Sequence, residues 1–277
     1  RYQIIKHQRE TAKLDEITSI EKYTLQPNSM QVGFITNLKK ILAAGEKRAL
    51  LISATGTGKT YASAFAMREL GFRRVLFLVH RGQLARQTRK SYEKVFANTV
   101  SMGLVGAGYH EYEADYVFAT VQTLNRDEHL LQYAKDAFDC IVLDEAHHVP
   151  ADTYRKIMDH FTPKLWLGMT ATPDKRDDNV EGRNVYEIFN YQIAYEIRLQ
   201  QAMEENLLCP FHYFGITDLS MIGDEEAARD FNMLTSDERV RHIVNQADYY
   251  GYSGDKVKGL IFCSNIKETE ELSAKFN

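Results

Sequence analysis

The segment Ala54-Thr55-Gly56-Thr57-Gly58-Lys59-Thr60 joins the apolar run Ala49–Ile52 to an amphipathic stretch, Thr60–Leu70. A buried strand that runs through a glycine turn into a helix gathers free backbone N–H groups and a helix dipole at one point, which suits a phosphate. Gly56 and Gly58 let the chain wrap without Cβ clashes. Lys59 brings a point charge for β and γ phosphates, and the Thr60 hydroxyl suits Mg²⁺. Thr55, Gly56, Thr57, Gly58, Lys59 and Thr60 are therefore candidate ATP contacts. Ser53 departs from the strict pattern, which takes glycine at that position.

Further short apolar runs follow at Val75–Val79, Tyr116–Ala119, Cys140–Leu143 and Leu165–Leu167. Between them lie helix-like segments at Gln83–Phe96, Asp127–Ala137 and Ala151–His160. Continuous apolar strands suit a parallel sheet covered on both faces, and their alternation with helices predicts a three-layer α/β domain. Upstream, Pro27 precedes a helical pattern through Leu42 that Gly45 stops.

The run Cys140–Leu143 leads directly into Asp144-Glu145-Ala146-His147. Ligands of open α/β sheets bind at the carboxyl ends of strands, so an acidic pair there faces the same edge as the phosphate loop. Asp144 is a candidate Mg²⁺ ligand and Glu145 a candidate general base for the attacking water. With Lys59 they form the expected catalytic set.

Composition limits the remaining classes. No run of 18 apolar residues occurs, so no membrane partner is expected, and the N-terminus lacks a signal-peptide core. Cys140, Cys209 and Cys263 are far apart and lack metal-site spacing, which fits reduced thiols in a cytoplasmic protein. The net charge is −4, yet residues 68–94 hold eight Lys/Arg against Glu69 and Glu93. Such a stretch reads either as a solvated helical face or as a phosphate-binding stripe.

With these residues placed, the chain resembles superfamily 2 helicases of the DEAH-type, restriction-enzyme-like branch, the type III restriction subunit among them. Ser53 to Thr60 is similar to motif I, where that superfamily commonly takes a small residue at the Ser53 position. Val79-His80-Arg81 resembles motif Ia, Phe118 to Leu124 motif Ib/Ic, Asp144 to His147 motif II, and Gly168-Met169-Thr170-Ala171-Thr172-Pro173 motif III. Gly259 to Ser264 looks like motif IV.

The resemblance implies RecA-like lobes with ATP between them. It also implies a DNA partner in preference to RNA, and nuclease or modification subunits or domains alongside. His147, Thr170 and Thr172 would couple the γ-phosphate state to lobe movement. His80, Arg81, Thr120, Gln122 and Thr123 would contact the nucleic-acid backbone. Gln31 would contact adenine, although Met30 stands where an aromatic is usual upstream of that glutamine. His148 matches no motif.

The expected organisation is a lead-in at 1–24, a first RecA-like lobe at 25–217, and a connector with the truncated start of a second lobe at 218–277. A helix over Asp237–Tyr250, a strand over Gly259–Cys263 and a helix start at 265–267 are expected in the last part. Motifs V and VI, which carry the arginine finger, are absent, so weak hydrolysis by this chain alone is expected. An RNA-dependent ATPase, a nucleotide-gated binding module and an unrelated P-loop kinase or GTPase stand as alternatives.

Overall fold

The computed structural model describes residues 25–97, 99–149, 152–173, 184–216, 231–251 and 257–276. The expected lead-in at 1–24 and residues 218–230 of the expected connector lie outside the described residues. Two compact units divide between Pro210 and Phe211, ahead of the boundary at 217 read from the sequence.

The first unit is built on strands β1 (Arg48–Ser53), β2 (Val75–Val79), β3 (Met102–Gly106), β4 (Tyr109–His110), β5 (Tyr116–Thr120), β6 (Cys140–Asp144), β7 (Leu165–Thr170) and β8 (Ile193–Ile197). They form one eight-stranded sheet in the order β4-β3-β5-β2-β6-β7-β1-β8. Every recorded pairing is parallel except the β3–β4 hairpin. Side chains alternate faces along each strand, so neighbours such as Leu50 and Leu51 enter different cores.

One core packs Leu51, Phe77, Phe118 and Val142 beneath α1 (Ser29–Ala43), α2 (Lys59–Leu70) and α3 (Gly82–Phe96). The other packs Leu50, Leu76, Ile141 and Trp166 against α4 (Val121–Leu124), α5 (Asp127–Leu130), α6 (Asp152–His160) and α7 (Val185–Ile188). A last short helix, α8 (Leu199–Glu204), buries Ala202. This is the three-layer α/β sandwich expected from the sequence.

Local chemistry sets the helices that matter to the site. Asn28 caps α1: its side chain accepts the Gln31 N–H, and Gln31 Oε1 accepts the Asn28 N–H in return. Met30, Phe34 and Leu38 on the inner face of α1 are fully buried. The Tyr92 hydroxyl of α3 donates to Ser63 Oγ of α2 at 2.8 Å, tying the helix behind the glycine turn to its neighbour. Burial pushes the Tyr92 phenol well up, so it stays a donor.

Three expectations need correction. The helix expected over Asp127–Ala137 stops at Leu130. Tyr133 and Phe138 bury their rings together, 4.8 Å apart, and positions five apart in a helix point about 140° away from each other. The chain turns so that both reach the core. The sequence runs also missed β3, β4 and β8, whose glycines and exposed positions hide the apolar signal.

The third correction concerns the second unit, which holds α9 (Phe231–Leu234), α10 (Asp237–Tyr250) and α11 (Ile266–Phe276). The strand expected at Gly259–Cys263 is not formed, and Leu260 and Phe262 are 88% and 93% exposed. A strand needs a neighbour to take its backbone hydrogen bonds, and none pairs with this segment among the described residues. The start of α11 is well capped, with Ser264 N–H and Oγ donating to the Glu268 carboxylate. No helix of the described residues is long and apolar enough to cross a membrane.

Candidate active site

The glycine turn leaves β1 at Ser53 and enters α2 at Lys59. Gly56 and Gly58 have φ of +90° and +91°, a left-handed conformation that explains both glycines. A Cβ on Gly58 would also lie 2.9 Å from Gln31 Nε2. Ser53, the departure from the strict pattern, is accommodated because its buried hydroxyl pairs with Thr57 Oγ1. Thr57 in turn donates to Ala54 O at 2.7 Å, locking the loop from within.

Gly58 caps α2 without any side-chain hydrogen bond, so the first-turn N–H groups have no side-chain acceptor there. Lys59 folds over the loop and donates to Ser53 O at 2.9 Å and Ala54 O at 3.4 Å. Thr55 and Gly56 are exposed and Thr60 is half-buried. Gln31 lies behind the loop and donates from Nε2 to Gly58 O at 3.3 Å.

Register carries the acidic pair to the same edge. Met169 of β7 lies opposite Asp144 of β6 on one side and Leu51 of β1 on the other. Two strand spacings, about 10 Å, therefore separate Asp144 from β1. Burial pulls the Lys59 ammonium below the usual lysine range, while the charges of Glu145 and Asp144 pull it back up. All three side chains thus share one electrostatic field.

Glu145 sits at φ +52°, left-handed although it is not glycine, which costs about 1 kcal/mol. Nothing in the sequence announced that strain. Its carboxylate lies 3.4 Å from His147 Nδ1, and the same nitrogen is 3.0 Å from Thr170 Oγ1. Thr170 Oγ1 also accepts the Thr172 N–H at 3.1 Å. The three residues expected to couple are in one hydrogen-bonded chain.

The other predicted contacts divide between two cavities. His80, Arg81 and Gln122, from the ends of β2 and β5, line a cleft of about 630 Å³ together with Thr55, Glu145 and Thr172. Thr120 and Thr123 instead open on a neighbouring cavity of about 140 Å³ beside Arg86. Thr120 Oγ1 donates to Thr123 Oγ1 at 2.9 Å and accepts the Thr123 N–H as the cap of α4. Tyr154, which the sequence reading did not single out, holds His80 Nε2 through its hydroxyl at 3.0 Å. His148 reaches the same cleft.

With this geometry in place, residues 24–175 match the family model described as type III restriction enzyme, res subunit. The chain belongs to that family. The res-subunit match spans β1 through β7 and so includes the glycine turn, the acidic pair and Thr170.

Among relatives, the type I restriction enzyme EcoAI endonuclease subunit of Escherichia coli is 28% identical, over 89% of this chain and 33% of that protein. The EcoKI endonuclease subunit of Escherichia coli K12 is 31% identical over 57% of this chain and 16% of its own length. The solved structure titled ATP-dependent Type ISP restriction-modification enzyme LlaBIII bound to DNA superposes with a TM-score of 0.66, at 20% identity, over 92% of this chain and 21% of that one. The chain thus spans a third or less of the length of these relatives. The fold they share is the RecA-like sandwich.

In this res-subunit chain Asp144 is costly to keep charged. Burial, and then the Glu145 charge, raise the Asp144 carboxyl to about 6, against the Glu145 N–H and Lys59, which lower it. The fold favours neutral Asp144, so its contribution to stability is full below about pH 4 and is lost as pH rises toward 6. Asp144→Asn is neutral throughout. In chelator-containing buffer it should be more stable than the parent at pH 7.5, by up to roughly 3 kcal/mol, with the gap closing below pH 4. Guanidinium melts at both pH values check this, and an equal gap at both would contradict it.

Proposed function

We propose that this chain is the ATP-binding lobe of an ATP-dependent DNA motor of superfamily 2, serving a restriction-type enzyme. The observation that carries the reading is the convergence of Lys59, Asp144 and Glu145 on one sheet edge, where Glu145 also lines a cleft shared with His80, Arg81 and Gln122.

The backbone N–H groups of the glycine turn and the start of α2 bind phosphate oxygens, and Lys59 moves from its carbonyl partners onto the terminal phosphates. Thr60 and Asp144 would hold Mg²⁺. Among the described residues no group of three or more His, Cys, Asp or Glu could hold a metal by itself, which fits an ion that completes its shell with phosphate oxygens and water. When bound, the ion neutralises charge that builds on the phosphates. Glu145 orients the attacking water and accepts its proton. Gln31 keeps its second amide hydrogen for adenine while the first stays on Gly58 O.

His147, Thr170 and Thr172 pass the state of that site to the end of β7. Arg81, Thr120 and Thr123, with His80 and Gln122, grip one strand by its phosphates without reading bases. A DNA substrate and nuclease or modification partners are taken from what the restriction relatives are named for.

Single-turnover hydrolysis of Mg·ATP by the chain, alone and with single-stranded DNA, duplex DNA or RNA of matched sequence, tests the reading. DNA is expected to raise the rate several-fold over RNA. Equal stimulation by RNA would remove the DNA assignment, and no binding of Mg·ATP would remove the nucleotide site.

A further inference from the structure

Three imidazoles connect the two ends of the large cleft. The rings of His147 and His148 lie 4.1 Å apart between centroids. His148 meets His80 edge-on at 4.3 Å. At one end His147 touches Glu145 and Thr170. At the other, His80 is held twice: Nδ1 faces Gln122 Nε2 at 3.4 Å, and Nε2 faces the Tyr154 hydroxyl at 3.0 Å.

These contacts assign the protons. An amide nitrogen only donates, so His80 Nδ1 accepts from Gln122, and the ring N–H sits on Nε2, donated to Tyr154. That arrangement needs a neutral ring. Burial supplies the reason, holding His80 below the usual histidine range, with the Glu145 charge opposing and Arg81 assisting.

We propose that Gln122, His80 and His148 form a relay through which an engaged nucleic-acid strand releases Glu145 from His147. The inference rests on the motor reading above and deepens it. Gln122 is exposed at the end of the cleft assigned to the phosphate backbone. A phosphate oxygen that takes the particular amide N–H now directed at His80 removes the hydrogen bond that fixes Nδ1. His80 then turns about its remaining bond to Tyr154, and its edge leaves His148. At such ring separations packed groups move together rather than independently, so His148 and His147 follow. The Glu145 carboxylate, held beside His147 on a strained backbone, is freed to meet the attacking water. His148 is the positioning residue of the set: its ring lies between His147, which touches Glu145, and His80, which faces Gln122.

Single-turnover hydrolysis of Mg·ATP with and without saturating DNA oligonucleotide, with oligonucleotide affinity measured in parallel, tests the relay. His148→Ala is expected to keep the basal rate and the oligonucleotide affinity of the parent. Its stimulation by DNA should fall about five-fold or more, the lower range of ordinary coupling between sites. His148→Phe, which restores a ring edge at that position, should recover most of the stimulation, something loss of fold in the alanine variant could not predict. Undiminished stimulation in His148→Ala overturns the relay. So does a loss of oligonucleotide affinity large enough to account for the lost stimulation, and so does failure of His148→Phe to recover it. Absence of hydrolysis or of any DNA response in the parent chain fails the motor reading itself, and the relay with it.

Discussion

Glu145→Gln is expected to lower single-turnover hydrolysis of ATP by about 10²–10⁴-fold while leaving Mg·ATP affinity within a few-fold of the parent. The amide matches the carboxylate in shape and keeps a partner for His147 Nδ1 at 3.4 Å, so the backbone at φ +52° has no new reason to shift. What is lost is a group able to accept the proton of the attacking water.

A second readout separates this from general damage. The Glu145 charge is the second cause that raises the Asp144 carboxyl to about 6. Removing it lets Asp144 ionise at lower pH, so Mg²⁺ affinity near pH 6 should rise slightly even as turnover collapses. A rate within a few-fold of the parent would remove Glu145 from the role of base.

Lys59→Ala is expected to raise the Kd for Mg·ATP roughly 100-fold, about 3 kcal/mol, the scale of lost hydrogen bonds between charged groups. The ammonium is poised at the loop by Ser53 O and Ala54 O, so it reaches the phosphates with little rearrangement. Its removal also takes away the cation that holds the Asp144 carboxyl down. Asp144 then stays protonated to higher pH and binds Mg²⁺ less well, so the two losses reinforce each other. Calorimetric titration with a non-hydrolysable analogue measures the effect, with a thermal melt to show that the variant folds. An unchanged Kd would place the triphosphate elsewhere than the glycine turn.

Much of this site was legible before any fold was known, because its chemistry is local in sequence. A strand, a turn with two left-handed glycines and a helix start follow one another within a few residues, and Gly56 and Gly58 can be read without tertiary context. Central strands β2, β5 and β6 were legible for a related reason, since each is covered on both faces and stays buried and free of charge up to its last residue, Thr120 in β5 and Asp144 in β6. Edge strand β8 was not: it buries only Ala194 and Ile197, and exposes Ile193 and Glu196. The run Gly259–Cys263 shows the opposite failure, an apolar strand pattern that pairs with no neighbour among the described residues.

The sequence by itself determined the residue types of a nucleotide site, their order along the chain and the layered class of the sheet. Only the tertiary structure decided that β7 stands between β6 and β1, which brings Asp144 within the field of Lys59. It alone gave Glu145 its left-handed backbone, divided Thr120 and Thr123 from the cleft of His80 and Gln122, and set His148 between two other imidazoles. The physical reason is range. Glycine conformation and strand burial act over neighbouring residues, whereas ring contacts and electrostatic coupling depend on distances between segments that only the completed sheet sets.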